Sequence, residues 1–326
     1  MSTKKRILEL FESRRGQTIS GGYIAGQFNV SRNAVWKAVK ELEKDGYKIE
    51  AAANKGYCFC EDNDILSAQG MLPFLSDKKT ADRIYVYPSL ESTNKTAKEM
   101  AISDAGHGTI IIADRQTAGK GRYGRDFFSP PLSGIYISFI LRSEQLRLNE
   151  PTLVTSFAAV SVCEAIEAIT EKKPQIKWVN DIFLDGKKIC GILTEAVTDY
   201  ESGNIPWIVA GIGINFSTSA TAFPEELREI AGAVFTRGNP PVTRNRLAAE
   251  VVNRIMDPEN QSDLTDRYKK RLMMLGKTVL VTGAGVTEPY EATAVDIDGA
   301  GRLVVKKDNG ETLSLSSGEI RIVTQK

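Results

Sequence analysis

Between two apolar, β-branched runs the chain spells Gly119-Lys-Gly121-Arg-Tyr-Gly124-Arg125. The glycine spacing is that of the dinucleotide-binding turn, where a strand feeds a helix whose N-terminus meets a pyrophosphate. A helix opening at the third glycine would commit the chain to a doubly wound parallel sheet. The residues that follow, Asp126-Phe-Phe-Ser-Pro130-Pro131, argue against it, because successive prolines remove donors and clash with the preceding turn. No Walker-type phosphate loop is present either. What is left is a glycine-rich loop carrying Lys120, Arg122 and Arg125, with cations that suit phosphate or carboxylate. It reads as an anion-binding loop that becomes ordered around its ligand.

Periodicity divides the chain into three parts. Ile7, Leu8, Leu10 and Phe11 predict a helix over 3–13, Ser20 caps a second carrying Ile24 and Phe28, and Ser31 opens a third that stops at Asp45-Gly46. Ala34, Ala38 and Leu42 form one stripe of that third helix. Two short strands follow at 47–50 and 57–60. Three helices and a hairpin make a winged helix-turn-helix domain over 1–62, with the helix-turn-helix at about 21–40. Its third helix presents Ser31, Arg32, Asn33, Trp36, Lys37 and Lys40 as DNA-binding candidates, the plain alternative being a solvated charged face. Residues 1–60 hold eleven Lys/Arg against six Asp/Glu, whereas the whole chain is only +1, so a polyanion would meet this segment alone.

Residues 63–82 are polar and mixed and read as a linker, with a short helix around 66–75. From 83 to 275 strands expected at 83–87, 109–113, 134–141, 175–178, 182–184, 189–194 and 207–215 alternate with helices at 93–101, 152–169, 245–255 and 263–275. Asp185-Gly186 is a two-residue hairpin turn. Hairpins among these strands favour a mixed sheet over a doubly wound one. Residues 276–326 carry five short strands punctuated by Gly283, Gly285, Asp298-Gly299, Asn309-Gly310 and Gly318, which predicts a small SH3-like barrel. The fold class is therefore α+β and multidomain.

Several chemistries drop out. The lone His107 lies in a turn-like Gly-His-Gly and removes histidine-based acid–base schemes. Cys58, Cys60, Cys163 and Cys190 include no Cys-x-x-Cys, so no metal site is expected. No apolar run suggests a membrane span and no signal-peptide core follows Met1, so a cytoplasmic location is expected.

Four clusters remain: Glu91-Ser92-Thr93-Asn94 at a helix start, where capping alone would explain it; the loop from Gln116 to Arg125; Lys177-Trp-Val-Asn-Asp181; and Gly211-Ile-Gly-Ile-Asn215, whose glycines leave room for a flat ligand. In this order they resemble the biotin protein ligases, and with the N-terminal winged helix the chain looks like the bifunctional bacterial form that is also the biotin operon repressor. The resemblance covers essentially the whole chain. It implies a central mixed-sheet domain of the class II synthetase-like biotin/lipoate ligase type, and a biotin site at Ser92, Thr93, Asn94 and Gln116. Gly119, Lys120, Gly121, Arg122 and Arg125 would close over the adenylate, Lys188 and Gly191 would contact the biotin end, Gly211 would border the site, and Asn215 would lie near the adenosine. Lys177 would face the reacting carboxylate and α-phosphate. Lys177, Lys188, Arg122 and Asp181 are thus the catalytic candidates, Asp181 to orient the attacking amine or accept its proton. Three residues depart from the family's pattern: Lys120 replaces an arginine, Val179 a proline, and Phe127 a tryptophan that would pack on adenine.

The activity so implied is that of a biotin–[biotin carboxyl-carrier protein] ligase, with biotin and ATP as substrates and Mg²⁺ on the phosphates. Its partners would be the carrier protein of acetyl-CoA carboxylase, operator DNA of biotin genes and a second copy of itself when adenylate-bound. A lipoate-type ligase and a non-catalytic small-molecule-sensing repressor are the alternatives.

Overall fold

The computed structural model describes residues 2–52, 55–148, 150–198, 205–236, 240–283 and 288–323. They form two compact units, 1–86 with 239–253, and 87–238 with 254–326. Ala53 and Asn54 of the expected hairpin turn and Gly285 of the C-terminal punctuation lie outside the described residues.

In the first unit helix α1 (Thr3–Ser13) is followed by a two-residue strand β1 (Thr18–Ile19), too short for any periodicity to announce it. Helices α2 (Gly21–Phe28) and α3 (Arg32–Lys44) open on Ser20 and Ser31, whose hydroxyls accept the amides of Tyr23 and Ala34 at 3.1 Å each. Asn29, at φ 53°, ends α2 in the left-handed region and makes the tight turn. The buried stripe of α3 is Val35, Ala38, Val39 and Leu42. It lies one residue round from the stripe anticipated through Ala34, because the bulkier valines take the core. Strands β2 (Ile49–Ala52) and β3 (Gly56–Phe59) complete a three-stranded sheet ordered β1-β3-β2.

Residues 63–82 are not a loose linker. They contain helix α4 (Ala68–Met71) and two 3₁₀ turns, and bury Leu66, Met71 and Leu75. Strand β4 (Ile84–Tyr87) then carries the chain out of the first unit.

The second unit continues with α5 (Thr93–Ile102), β5 (Thr109–Ala113), β6 (Gly134–Arg142), α6 (Pro151–Ile169), β7 (Gln175–Lys177), β8 (Asp181–Leu184), β9 (Lys187–Val197) and β10 (Trp207–Asn215). Strands β5, β6, β10, β9, β8 and β7 lie side by side in that order as antiparallel neighbours. Parallel pairing enters at isolated bridges such as Leu90 with Gln116. Asp185 and Gly186 take φ of 50° and 75° and form the tight β8–β9 turn expected from their sequence. Helix α5 packs against β5, β6 and β10. Composition underrated α6: Thr152–Ile169 is long and apolar enough to cross a membrane, yet two-thirds of it is buried, against β8, β9 and β10. It is the core helix of this unit.

Helix α7 (Arg244–Met256) begins in the first unit, where Arg244 is almost wholly buried. Its backbone amide and Nε donate to the two carboxylate oxygens of Asp64 at 2.7 and 3.0 Å, and the Asn245 amide pairs with Ser67 N–H and Ile65 C=O. These bonds fasten 63–67 to a segment 180 residues later. Helix α8 (Leu264–Lys269) is shorter than the expected 263–275. Strands β11 (Thr278–Thr282), β12 (Tyr290–Ile297), β13 (Leu303–Lys306), β14 (Thr312–Leu315) and β15 (Glu319–Ile322) form an antiparallel sheet ordered β14-β13-β12-β11-β15.

Removing the Asp64 carboxylate takes away the acceptor of the Arg244 backbone amide and Nε and a negative charge beside a buried guanidinium. Asp64→Ala is expected to cost about 3 kcal/mol by chemical denaturation, on the scale of a broken buried pair.

Candidate active site

The glycine loop is shaped by its own bonds. Thr117 and Ala118 amides donate to Leu90 and Glu91 carbonyls, Gly121 N–H to Arg125 C=O at 2.7 Å, and Phe127 N–H to Gly119 C=O at 2.9 Å. Tyr123 and Gly124, at φ 57° and 74°, make the tip. A Cβ at Gly119 would sit 2.7 Å from Phe127 O and 2.8 Å from Ser129 Oγ, so this glycine serves close approach to its own chain rather than to a ligand.

The loop's cations, expected to await an anion, have partners. Lys120 pairs with Asp126 at 2.7 Å, Arg125 with Glu319 of β15, and Arg122 donates to Asn180 Oδ1 at 3.2 Å. All three nevertheless line a cavity of about 690 Å³ bounded by the loop, β7–β10 and edges of β11 and β15.

Inside that cavity Lys177, Asp181 and Lys188 come together from β7, β8 and β9. Lys188 Nζ lies 2.6 Å from Asp181 Oδ1. Burial holds the Lys177 ammonium below the usual lysine range; Lys188 pushes it the same way, while Asp181 opposes. The Trp178–Val179 peptide is cis, and the Val179 carbonyl accepts the buried Tyr268 hydroxyl at 3.0 Å.

The glycines of β9 and β10 are occupied from within. A Cβ at Gly213 would meet the Phe127 ring at 2.5 Å and one at Gly191 would meet it at 3.2 Å, so the ring rests on a bare patch where these two residues pair across the strands. Its edge also meets Tyr136, with centroids 6.4 Å apart. At Gly211 the missing side chain makes room for the Asn94 amide, whose Oδ1 would lie 2.0 Å from a Cβ. The flat surface expected for a ligand therefore carries Phe127 and Asn94. Gly119 and Asn215, both named from sequence, do not line the cavity. Asn215 donates to Gly232 C=O at 2.9 Å, and its buried Oδ1 has no hydrogen-bond partner among the described residues.

Ser92 also lines the cavity and makes no side-chain cap for α5, so capping does not explain it. Thr93 N–H donates to Gln116 Oε1 at 2.8 Å, and Gln116 Nε2 donates to Ser129 Oγ at 3.0 Å. Asn94 is held inward by Leu193 C=O and Glu195. Ser92, Thr93, Asn94 and Gln116 thus form an uncharged polar cluster in the lining of the cavity that Lys177, Lys188 and Arg122 also line.

Three family models match in order: an HTH domain over 3–58, the biotin/lipoate A/B protein ligase family over 86–215, and the biotin protein ligase C-terminal domain over 274–322. The bifunctional ligase/repressor BirA of Bacillus spizizenii is 37% identical over 241 residues, 74% of this chain and 73% of that protein. The chain belongs to the biotin protein ligases. The Escherichia coli ligase/repressor is 27% identical across 93% of this chain and 95% of its own length, so the similarity includes the helix-turn-helix domain. Among solved structures, a biotin protein ligase from Aquifex aeolicus in complex with biotin and ATP matches 74% of this chain and 99% of its own, at 26% identity and TM-score 0.62.

The ligase cavity includes residues that the sequence did not suggest. Thr282, Glu319 and Arg321 come from the C-terminal strands, which carry only ordinary alternation. Leu227 and Ile230 enter through a segment whose Ile230 C=O accepts Lys188 N–H at 2.8 Å. Ser138, beneath Thr93, had a usable signal: it is the one small polar residue in the run Ile135-Tyr-Ile-Ser-Phe-Ile-Leu141.

On the repressor-type domain, Arg32, Asn33, Trp36, Lys37 and Lys40 are all exposed on α3, with Trp36 50% accessible. Ser31 is engaged as the cap, and Lys40 pairs with Glu43 one turn on.

Gly213→Ala is expected to lower stability by about 1–3 kcal/mol through overpacking against Phe127. Most of that cost should vanish in a Phe127→Ala background, as read by a double-mutant cycle in urea.

Proposed function

We propose that the chain joins biotin to ATP as biotinyl-5′-AMP and transfers it to a lysine of the biotin carboxyl carrier protein of acetyl-CoA carboxylase. Loaded with adenylate, it would dimerise and bind the operator of biotin genes from the cytoplasm. The observation that carries this reading is one cavity lined both by the uncharged polar cluster Ser92, Thr93, Asn94 and Gln116 and by the cations Lys177, Lys188 and Arg122.

Adenylation brings a carboxylate to a triphosphate, and the cations offset that repulsion as charge develops on the departing pyrophosphate. Lys177 lies at the reacting carboxylate and α-phosphate, and Arg122 with Lys120 closes over the adenylate. Among the described residues no group of three or more His, Cys, Asp or Glu gathers to hold a metal. Mg²⁺ would arrive on the ATP phosphates, whose charge it screens, with Asp126, Asp181 and Glu319 the carboxylates lining the cavity. The mixed anhydride is already activated, so transfer needs chiefly a positioned amine, and no histidine is required.

Lys177→Ala and Lys188→Ala are each expected to reduce biotin-dependent ATP–pyrophosphate exchange by about 100-fold or more; activity near wild type would remove them from the mechanism. Lipoate in place of biotin should support no exchange, which separates the two ligase types. Burial lowers the Lys177 pKa, so its charge is lost as pH rises through a value below that of an ordinary lysine. Lys177→Arg should shift the alkaline limb of the exchange profile to higher pH.

Two winged helices on one palindrome bind more strongly than one, which would couple loading to repression. Combined alanine substitution at Arg32, Lys37 and Lys40 should abolish operator retention in a gel shift. Wild-type retention should strengthen with biotin plus ATP, and indifference to them would contradict the coupling.

A further inference from the structure

The tip of the glycine loop holds an aromatic residue where the backbone favours glycine. Tyr123 stands at φ 57°, in the left-handed region, and Gly124 follows at 74°. A bulky side chain there carries a conformational cost that glycine or asparagine would avoid. Gly121 N–H on Arg125 C=O at 2.7 Å and Arg125 N–H on Arg122 C=O at 3.3 Å close the turn, and the Tyr123 ring folds back onto the residue before it. Arg122 Cζ lies 5.0 Å from the ring centroid, and Arg122 Nη2 donates to the Tyr123 hydroxyl at 3.0 Å.

The other arm of the same guanidinium reaches the sheet. Arg122 Nη1 donates to Asn180 Oδ1 at 3.2 Å. Asn180 is itself fixed, because its Nδ2 donates to Ile192 C=O at 3.0 Å and its backbone carbonyl accepts Ile192 N–H at 3.0 Å. With the amide nitrogen committed to the strand, the amide oxygen is turned to Arg122.

These partners set Arg122 apart from its neighbours. Lys120, Arg125 and Lys188 each lean on a carboxylate, which an anion entering the cavity must displace. Arg122 is held by a carboxamide oxygen, a phenol oxygen and an aromatic face, none of them negatively charged. Its orientation is fixed while its charge stays whole, and Arg122, Tyr123 and Asn180 all line the cavity.

We propose that Tyr123 is a positioning residue: its ring and hydroxyl hold the Arg122 guanidinium, against the anchor of Asn180, as a cation not neutralised by these partners, and so set how long a phosphate ester stays bound. Resting on the function proposed above, the ester so retained is the acyl-adenylate between its formation and its transfer.

The test is the dissociation rate of biotinyl-5′-AMP from the full chain, loaded with labelled biotin and MgATP and chased with unlabelled biotin. Tyr123→Asn suits the positive φ but removes the clamp. It should raise the rate about fivefold, the scale of an exposed cation–π contact together with a hydrogen bond. Tyr123→Phe, which keeps the ring, should fall between Tyr123→Asn and the wild type. Affinity for biotin alone should stay within about twofold, because biotin brings no phosphate to Arg122. In an Arg122→Ala background Tyr123→Asn should change the rate by less than about twofold, since its effect runs through that guanidinium. A wild-type rate in Tyr123→Asn overturns the proposal by showing that only the backbone turn matters. An undiminished effect in the Arg122→Ala background overturns it by giving Tyr123 a ligand contact of its own. Failure of the wild type to form any biotinyl-5′-AMP instead overturns the ligase reading, and this proposal with it.

Discussion

The Phe127 ring rests on Gly213 and Gly191, and the position of the glycine loop depends on that contact. The ring pins one arm of the loop to the sheet, while Gln116, bonded to Thr93 and Ser129, holds the other arm. With both arms fixed, Lys120, Arg122 and Arg125 stand along one side of the cavity. Lys177 and Lys188 project from sheet strands that the loop faces. A larger residue at Gly213 displaces the ring and, with it, the geometry of every cation on the loop.

Charge balance follows from the same arrangement. Lys188 leans on Asp181, Lys120 on Asp126 and Arg125 on Glu319, so half of the cavity's cations are neutralised within the chain. Several of these side chains are substantially exposed, where an ion pair contributes little to stability. An incoming phosphate offers more charge and more acceptor oxygens than a carboxylate, so partner exchange is inexpensive. Lys177 differs: burial, not a tight partner, dominates its environment, so an anion beside it gains the most.

Local signals carried much of this into the sequence. Ser20 and Ser31 announced their helices, Asp185-Gly186 its turn, and the prolines after the loop excluded a dinucleotide fold, because each acts through its own backbone or near neighbours. What stayed hidden depends on residues far apart. Asp64 needs Arg244, 180 positions away, to turn an apparent linker into packed structure. Gly211 and Gly213 look like room for a ligand until Asn94 and Phe127 are seen filling it. Glu319 and Arg321 carry no local mark of a site. The family resemblance named fewer than half of the cavity residues, and it did not distinguish those that face the cavity from Asn215 and Gly119, which serve their own chain.

The central claim is that one cavity joins a ureido-bearing acid to an adenylate. Direct mass-spectrometric analysis of the purified protein mixed with biotin and MgATP, without any carrier protein, tests it. Biotinyl-5′-AMP should form and remain bound, with no corresponding adenylate from lipoate. Absence of an acyl-adenylate, or equal formation from either acid, would contradict the account.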